Sequence, residues 1–338
     1  MQASDTTVLP WHESEYAALW DRRERLPHAL LIHGRQGTGK LRFATALAQA
    51  LLCEKPGAGR ACGACPSCNW FAGGSHPDFM HLEPVTEDSG EEEGATGKKR
   101  AQITVEQVRA LSGFLSVSTH RGGWRPVLLH PAEGLNPSAA NALLKSLEEP
   151  PARTIFILVG HRLHQVLPTI KSRCQLLPLA SPSREEAGRW LDAQGVSNAG
   201  LASAYSGGAP LTALAPPSEN FWEMRQRFVR HLAAPRLDPL SAADECQDAG
   251  IPLVLEWLQK WTYDIAACRL GAGLRYNVDQ EAAISRLASG SDPIRVLRMH
   301  RELVRMQRHA NHPLNARLFV EQVLMSYAEA TAAGPPSP

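Results

Sequence analysis

A glycine-rich segment near the N-terminus constrains the fold more than any other feature of the sequence. Residues 34–41 read Gly-Arg-Gln-Gly-Thr-Gly-Lys-Leu, between a strand candidate at residues 28–33 and a helix candidate that follows. Glycines in such a loop let backbone N–H groups approach a phosphate at the helix N-terminus, and a lysine reaches the β- and γ-phosphates. The segment therefore predicts a P-loop-type fold. The candidate phosphate-binding residues are Gly34, Gly37, Gly39 and Lys40.

Two positions that bind Mg²⁺ in a working phosphate loop are changed in this chain. The residue after the lysine is Leu41, whose side chain cannot coordinate a metal as Ser or Thr does there. The later strand that should end in acidic residues ends in His130-Pro131, and we expect the nearby Glu133 to lie at the surface. These two independent losses predict that the chain does not hydrolyse ATP, whereas nucleotide binding at Lys40 stays open.

Short apolar runs alternate with helical patterns in the first half of the chain. This alternation is typical of parallel strands joined by crossover helices, so we predict an α/β domain with a parallel sheet. Beyond Leu179 the pattern becomes helical. The strand candidates are residues 28–33, 78–82, 126–130, 154–159 and 175–179.

Two helix starts in this region carry capping signals. Thr104 with Gln107 three residues later has the spacing of a capping box. Asn136-Pro137 combines an N-cap residue with proline at the first helical position. We therefore predict that one helix begins after Thr104 and another after Asn136.

Four of the seven cysteines are crowded into one short segment. They follow the spacing C-x8-C-x2-C-x2-C, with Gly63 and Pro66 permitting tight turns. Four thiolates at this spacing suit a tetrahedral zinc ion with no open position for a catalytic water, so we predict a structural zinc module over residues 53–68. A redox centre at Cys65-Pro-Ser-Cys68 and four free or disulfide-linked cysteines are the alternatives. The predicted zinc ligands are Cys53, Cys62, Cys65 and Cys68.

The composition favours a globular protein without a whole-molecule electrostatic field. Hydrophobic residues make up 43% of the chain and the formal net charge is +1, so any basic surface must be local. We find no cationic leader followed by an apolar stretch and no apolar segment of bilayer-spanning length, and we therefore expect a cytoplasmic location. Residues 86–100 are acidic and then basic, which predicts a solvated loop without a chemical role; a phosphate or DNA role for Lys98, Lys99 and Arg100 is the alternative.

A local basic feature lies near the C-terminus. Arginines recur there every three or four residues and predict one basic helical face, with Val296, Leu297, Leu303 and Val304 available for packing. Such a stripe suits DNA phosphates or an acidic partner, and a solvated face with local ion pairs is the alternative. The arginines are Arg295, Arg298, Arg301, Arg305 and Arg308.

Two strings in the sequence resemble a known family. Residues 141–151, Asn-Ala-Leu-Leu-Lys-Ser-Leu-Glu-Glu-Pro-Pro, and residues 172–174, Ser-Arg-Cys, resemble the hallmark strings of bacterial clamp-loader subunits, which are AAA+ proteins of the DNA polymerase III holoenzyme. The resemblance covers about residues 26–210 with specific motifs. It implies an AAA+ sheet domain over residues 1–179, a small helical lid domain over 180–216, an all-α collar domain for oligomerisation over 217–333 and a disordered tail at 334–338.

The resemblance also implies a role in an assembly. It implies a subunit that is no enzyme on its own, yet belongs to a DNA-directed DNA polymerase, a nucleotidyltransferase. The implied partners are gamma/tau and delta clamp-loader subunits, the sliding clamp indirectly, and primed DNA through the complex. The family places the arginine of the Ser-Arg-Cys string in the neighbouring subunit's ATP site, so Arg173 would be catalytic in trans. Without that string, an ion pair with a carboxylate on its own surface would be the preferred role for Arg173.

Two further positions depart from the pattern of the hydrolysing relatives. Where those relatives place a polar sensor after the fourth strand, this chain has Gly160-His161, and where their lid helix supplies an arginine, it has Leu211. Both departures agree with a silent site. The rival hypotheses are an active AAA+ clamp-loader ATPase of the gamma/tau type and a zinc-based nucleic-acid-binding module.

Overall fold

The computed structural model describes residues 6–85, 101–120, 122–216, 218–307, 310 and 315–332. The chain divides into two compact units, Met1–Pro182 and Ser183–Pro338. The charged loop at residues 86–100, the tail at 334–338 and Arg308 of the basic stripe lie outside the described residues. Within the described part, no helix combines the length and the apolar character that crossing a membrane requires.

The first unit is built around a five-stranded sheet. Its strands are β1 (Ala29–His33), β2 (Met80–Leu82), β3 (Arg125–Leu129), β4 (Thr154–Gly160) and β5 (Gln175–Pro178). Its helices are α1 (Glu13–Trp20), α2 (Lys40–Leu52), α3 (Pro66–Ala72), α4 (Val105–Ser116), α5 (Pro137–Glu148) and α6 (Pro168–Lys171). Each of the five strand candidates is therefore a strand, with its ends shifted by at most two residues.

The sheet is parallel throughout, in the order β2-β3-β4-β1-β5. Strands β3 and β4 are buried along their whole length, as expected for parallel strands that helices cover on both faces. Parallel strands end at one edge of a sheet, so the loops that carry the glycine-rich segment, His130 and His161 lie at the same edge. The predicted α/β fold class is confirmed in the described residues: a parallel sheet domain with a cysteine module is followed by a helical remainder.

Side chains of the sheet alternate between two apolar layers. Leu30 and Ile32 of β1 pack in the layer formed with α1 and α2, whereas Leu31 packs in the layer formed with α4 and α5. Helix α3 joins the first layer through Phe71, which is 1% exposed. This packing fixes α2 over the sheet with its first residue, Lys40, directly after the glycine-rich loop.

Helices begin where the capping signals predicted them. The Thr104 hydroxyl accepts a hydrogen bond from the Gln107 N–H, and the Gln107 side chain accepts one from the Thr104 N–H, which completes the capping box of α4. At the start of α5, Asn136 Oδ1 accepts from the Ala139 N–H at 2.7 Å. Both predicted helix starts are confirmed.

The second unit is helical in its described residues. Its helices are α7 (Arg184–Ala193), α8 (Ala199–Tyr205), α9 (Pro210–Leu214), α10 (Phe221–Ala233), α11 (Pro239–Glu245), α12 (Gly250–Arg269), α13 (Glu281–Gly290), α14 (Pro293–Met306) and α15 (Ala316–Thr331). Phe228, Trp257 and Trp261 lie in its apolar core. Beside that core, Arg225 Nη2 lies 2.9 Å from the Asp279 carboxylate. The division of this unit into lid and collar stays a prediction.

The structure corrects the packing predicted for α14. Val296 and Leu303 are buried, but Leu297 and Val304 are 41% and 44% exposed. Buried positions on one helix face recur every three or four residues, and Val296, Met299 and Leu303 satisfy that spacing without the other two. Leu297 and Val304 therefore lie at the surface beside Arg298, Arg301 and Arg305, which are exposed arginines of the stripe.

Candidate functional site

The four predicted metal ligands come together in the structure. The sulfur atoms of Cys53, Cys62, Cys65 and Cys68 all lie within 4.8 Å of one another. The distances from Cys53 Sγ to Cys65 Sγ and from Cys62 Sγ to Cys68 Sγ are both 4.0 Å. Tetrahedral zinc with bonds of about 2.3 Å holds its sulfurs roughly 3.8 Å apart, so the cluster has the dimensions of such a site. All four thiols are free, and the disulfide alternative does not describe this structure.

Backbone N–H groups donate to three of the four sulfurs. Cys62 N lies 3.2 Å from Cys53 Sγ, and the N–H groups of Cys65 and Cys68 lie 3.4 Å from Cys62 Sγ and Cys65 Sγ. Hydrogen bonds from the N–H groups of Ala64 and Cys65 lower the pKa of Cys62 to about 6, whereas burial raises the pKa of Cys53 and of Cys68. Thiolates are the form that binds metal, and the Cys62 sulfur is more readily ionised than the sulfurs of Cys53 and Cys68.

The cysteine module is tied to the helix that follows the glycine-rich loop. Cys53 follows the last residue of α2, and Cys65 caps the start of α3. Ser67 Oγ donates to the Leu52 carbonyl oxygen at 2.6 Å and lies 2.8 Å from His76 Nε2. Ordering of the module is thereby coupled to the C-terminal end of α2.

The glycine-rich loop encloses the Lys40 ammonium group. Lys40 is 2% exposed, and its Nζ donates to the Arg35 carbonyl oxygen. Thr38 Oγ1 donates to the same oxygen at 2.9 Å, so this hydroxyl serves the loop itself. Burial lowers the pKa of Lys40 to about 8, and the nearby Glu133 carboxylate opposes that shift. In this conformation the lysine is bonded to its own loop.

Two positions in the loop require glycine because other segments of the chain approach them closely. Gly34 has φ +149°, and a Cβ atom there would lie 2.5 Å from the Leu179 carbonyl oxygen. Gly39 has φ +99°, and a Cβ atom there would lie 2.3 Å from Leu9 Cδ1. The loop is therefore held between the end of β5 and the N-terminal segment.

Sequence reasoning missed the contribution of the N-terminal segment. Trp11 Nε1 donates to the Thr38 carbonyl oxygen at 2.9 Å, and His12, which is fully buried, places Nε2 3.1 Å from the Ala180 carbonyl oxygen. Leu9 is 3% exposed and lies against the loop. These contacts join residues 27 and 168 positions apart, and no local motif encodes them.

Neither altered Mg²⁺ position supplies an oxygen ligand. Leu41 packs against the apolar layer that contains Phe71, and the two residues line a cavity of about 510 Å³ together with Phe79. His130 faces His161, with 3.0 Å between their Nε2 atoms. Burial, followed by the nearby His161, lowers the pKa of His130 to about 4, and burial lowers the pKa of His161. Both rings are therefore neutral at pH 7.

Glu133 is not a free surface residue, which corrects the sequence interpretation. Its Oε1 accepts hydrogen bonds from the N–H groups of His161 at 3.0 Å and Arg162 at 3.2 Å. The side chain is half-buried and lies near enough to Lys40 to affect its pKa. Glu133 thus joins the loop after β3 to the loop after β4, and its carboxylate is committed to backbone N–H groups.

Arg173 lies in the turn after α6 and forms an ion pair with Glu148. Its Nε lies 2.7 Å from Glu148 Oε1, and its Nη1 donates to the Thr169 carbonyl oxygen at 3.0 Å. Ser172 Oγ donates to the same carbonyl at 3.0 Å and closes the turn. The own-surface ion pair considered from the sequence is therefore formed, and 32% of the Arg173 side chain remains exposed.

Comparison with known proteins decides the family. The family model described as "DNA polymerase III, delta subunit" matches residues 19–183, and "DNA polymerase III, delta subunit, C terminal" matches residues 219–329. The DNA polymerase III subunit delta′ of Pseudomonas aeruginosa is 34% identical over 97% of this chain and 99% of its own. This chain belongs to the delta-prime family. The delta-prime subunits of Yersinia pestis (32% identity, 96% of each chain) and Escherichia coli K12 (32% identity, 85% and 84%) are also similar.

Delta-prime membership agrees with the resemblance that the Asn-Ala-Leu-Leu and Ser-Arg-Cys strings carry. The structure gathers the four cysteines into one cluster and builds the phosphate-loop residues into one loop. Zinc as the bound ion, nucleotide binding at Lys40 and the trans role of Arg173 stay predictions for this delta-prime chain. The His130–His161 pair and the Glu133 contacts were beyond sequence reasoning, since they depend on the alignment of two loop ends.

Proposed function

We propose that this delta-prime chain is a non-hydrolysing subunit of the DNA polymerase III clamp loader. In that role it helps to load the sliding clamp onto primed DNA. The observation that carries the proposal is a formed phosphate loop without oxygen ligands for Mg²⁺ beside it. Leu41 is packed against apolar residues. His130 forms a hydrogen bond with His161 at the position where an ATPase has a carboxylate to hold Mg²⁺.

Without these Mg²⁺ ligands, the chain lacks the side chains that position the metal ion for ATP hydrolysis. In P-loop ATPases, Mg²⁺ held by a hydroxyl and a carboxylate bridges the β- and γ-phosphates and neutralises developing charge. Neither Leu41 nor the neutral His130 ring supplies an oxygen, and Glu133 is occupied by two backbone N–H groups. Phosphate bound by Lys40 would also displace the Arg35 carbonyl from its hydrogen bond with the ammonium group. The chain therefore contributes no turnover of its own.

The catalytic contribution of the chain is made in a neighbour's site. Arg173 supplies a guanidinium group to the γ-phosphate of ATP bound by an adjacent gamma/tau subunit. In other systems a trans arginine of this kind raises the rate by about 10³ to 10⁵. Its surface turn and its 32% exposed side chain support that role.

The cysteine cluster holds a structural zinc ion. The donor set is four sulfurs at tetrahedral spacing, which leaves no coordination position for water or substrate. The N–H donors around Cys53, Cys62 and Cys65 stabilise the thiolates that such an ion requires. The ion orders residues 53–68 against α2 and performs no chemistry.

Reconstitution tests the proposed function. A loader would be assembled from gamma/tau and delta subunits with and without this chain, and transfer of a fluorescent clamp to primed DNA would be followed. We expect loading to fall at least about tenfold without the chain, and the chain alone to hydrolyse no ATP above background. Full loading without the chain, or ATP turnover by the chain alone at the rate of the loader, would sink the proposal.

A further inference from the structure

The Arg173 guanidinium is held from two sides in this structure. Its Nε and Nη2 groups both donate to one oxygen, Oε1 of Glu148, and the Nε–Oε1 distance is 2.7 Å. Its Nη1 group donates to the Thr169 carbonyl oxygen at 3.0 Å and to Ser172 Oγ at 3.3 Å. Hydrogen bonds between charged partners are among the stronger ones in proteins, and together these contacts define one orientation for the side chain.

Two of the three acceptors, Glu148 Oε1 and the Thr169 carbonyl oxygen, belong to elements that are anchored in the core. Glu148 is the last residue of α5, and the adjacent Leu147 is fully buried. Thr169 is in α6, and the adjacent Ile170 is also fully buried. The carboxylate and the carbonyl therefore hold fixed positions relative to the sheet, and Arg173 is positioned by packed helices although it lies in a surface turn.

The exposure of the pair argues against a role in fold stability. The side chains of Arg173 and Glu148 are 32% and 50% exposed. Ion pairs this accessible to water contribute little to the stability of a fold. What the pair does change is the freedom of the arginine side chain, which is long and populates many rotamers when it is unrestrained.

We propose that Glu148 is a positioning residue that holds Arg173 in place for its action in the neighbouring ATP site. This inference rests on the trans role of Arg173 proposed above. A guanidinium that is oriented before the subunits meet loses less entropy when it engages a phosphate, and orientation of reacting groups lowers barriers. Because both N–H groups share one oxygen of Glu148, a single uncharged carbonyl oxygen is able to replace it.

The test uses the reconstituted loader and measures kcat and KM for ATP with five variants. Glu148→Ala should lower kcat about tenfold with KM changed less than about twofold, because the neighbour's nucleotide contacts are untouched. Glu148→Gln should keep at least about half of the wild-type kcat, since its amide oxygen accepts the same hydrogen bonds. The matched control is Glu149→Ala, which removes the same charge from the next, exposed residue and should leave kcat unchanged.

The double variant Glu148→Ala with Arg173→Ala separates positioning from other roles. Glu148 acts through Arg173, so the double variant should be no slower than Arg173→Ala alone. A normal or raised kcat for Glu148→Ala, equal losses for Glu148→Gln and Glu148→Ala, or a further loss in the Arg173→Ala background would each overturn the inference while the trans arginine stood. A normal kcat for Arg173→Ala would overturn the trans role and this inference together.

Discussion

At the carboxyl edge of the sheet, single residues decide what the phosphate loop is able to do. Lys40 and the loop glycines keep the geometry of a phosphate site, whereas Leu41 and His130 remove the two metal ligands. Both residues have structural roles, because Leu41 packs against an apolar layer and His130 forms a hydrogen bond with His161. A reversion at one of these positions would therefore disturb packing without restoring the other ligand.

The His130–His161 pair predicts a pH-dependent stability. The pKa of His130 is about 4 in the folded chain and near its ordinary value of 6.5 in the unfolded chain, so the unfolded chain binds more protons between these values. The free energy of unfolding should therefore fall as the pH drops from 7 to 5, by on the order of 1 to 2 kcal/mol from this group. Urea denaturation at several pH values measures the change.

The matched variant for this prediction is His130→Gln, which keeps a hydrogen-bonding side chain that does not titrate. Its free energy of unfolding should depend less on pH between 7 and 5 than that of the wild-type chain. Identical pH dependence in the two proteins would show that the His130 ring does not carry the effect.

The close approach at Gly34 leads to a second prediction about a single residue. An alanine there would combine a left-handed φ with a Cβ atom 2.5 Å from a backbone carbonyl, and neither problem is relieved by a side-chain rotation. We expect Gly34→Ala to destabilise the chain by about 2 to 4 kcal/mol, measured by thermal unfolding.

Gly113→Ala is the control for that substitution. Gly113 lies inside α4, and nothing lies within 4 Å of a Cβ atom built there. Alanine in a helix interior should stabilise the chain by about 0.5 to 1 kcal/mol. Equal melting temperatures for Gly34→Ala and the wild type would contradict the close approach described for the loop.

The roles of single residues were predictable from the sequence where the residues belong to a short motif. Leu41 stood out because a fixed position after the lysine demands a hydroxyl, and the cysteines stood out because of their spacing. Glu133 was misplaced at the surface, since its partners His161 and Arg162 lie 28 and 29 positions away. Which loop ends meet depends on the strand order, and a single sequence does not encode that order locally.

Among the elements, the cysteine module is the one whose order the proposed zinc ion would affect most. It joins α2 to α3 through a segment that makes few apolar contacts of its own, so four sulfur–metal bonds would supply much of its order. We expect about one zinc per chain in the wild type and a large loss with Cys62→Ser, measured by metal analysis. Hydrogen exchange of residues 53–72 should accelerate in that variant.

Cys268→Ser is the matched control for the zinc prediction. Cys268 is a free cysteine of the second unit and takes no part in the cluster, so its zinc content should equal that of the wild type. Wild-type zinc content in Cys62→Ser, or a wild-type chain purified without any metal in the cluster, would contradict a structural zinc site.

An ion pair between a buried arginine and a partly exposed aspartate links α10 to the segment before α13. The Arg225 side chain is 3% exposed and its Nη2 lies 2.9 Å from Asp279 Oδ1, with Asn277 Oδ1 also accepting at 2.8 Å. Asp279→Ala leaves a buried guanidinium without its counter-charge, and we expect a loss of about 3 kcal/mol in the free energy of unfolding. Adding Arg225→Met should recover part of that loss; no recovery would mean that the lost charge pairing is not the cause.

Element types were more predictable from the sequence than their contacts. The three central strands β1, β3 and β4 were predictable because parallel strands buried on both faces read as continuous apolar runs, and the capping box at Thr104 marks its helix start. The packing of α14 was partly wrong, since Leu297 and Val304 are apolar yet exposed. Apolar character alone does not tell which face of a helix meets the core.

At the scale of the whole molecule, we propose that the chain does its work as part of an assembly. Its own phosphate loop lacks metal ligands, while Arg173 stands at the surface, oriented by Glu148 and by a backbone carbonyl. Membership in the delta-prime family of DNA polymerase III subunits agrees with that division. Under this account, the chain matters to hydrolysis through what it presents to a neighbour.

The most direct measurement is steady-state ATP hydrolysis by the reconstituted loader containing the wild-type chain, Arg173→Ala or Lys40→Ala. We predict that Arg173→Ala lowers the rate at least about tenfold and that Lys40→Ala leaves it within about twofold of the wild-type rate. A rate that is lost with Lys40→Ala and kept with Arg173→Ala would show that the chain hydrolyses ATP in its own site.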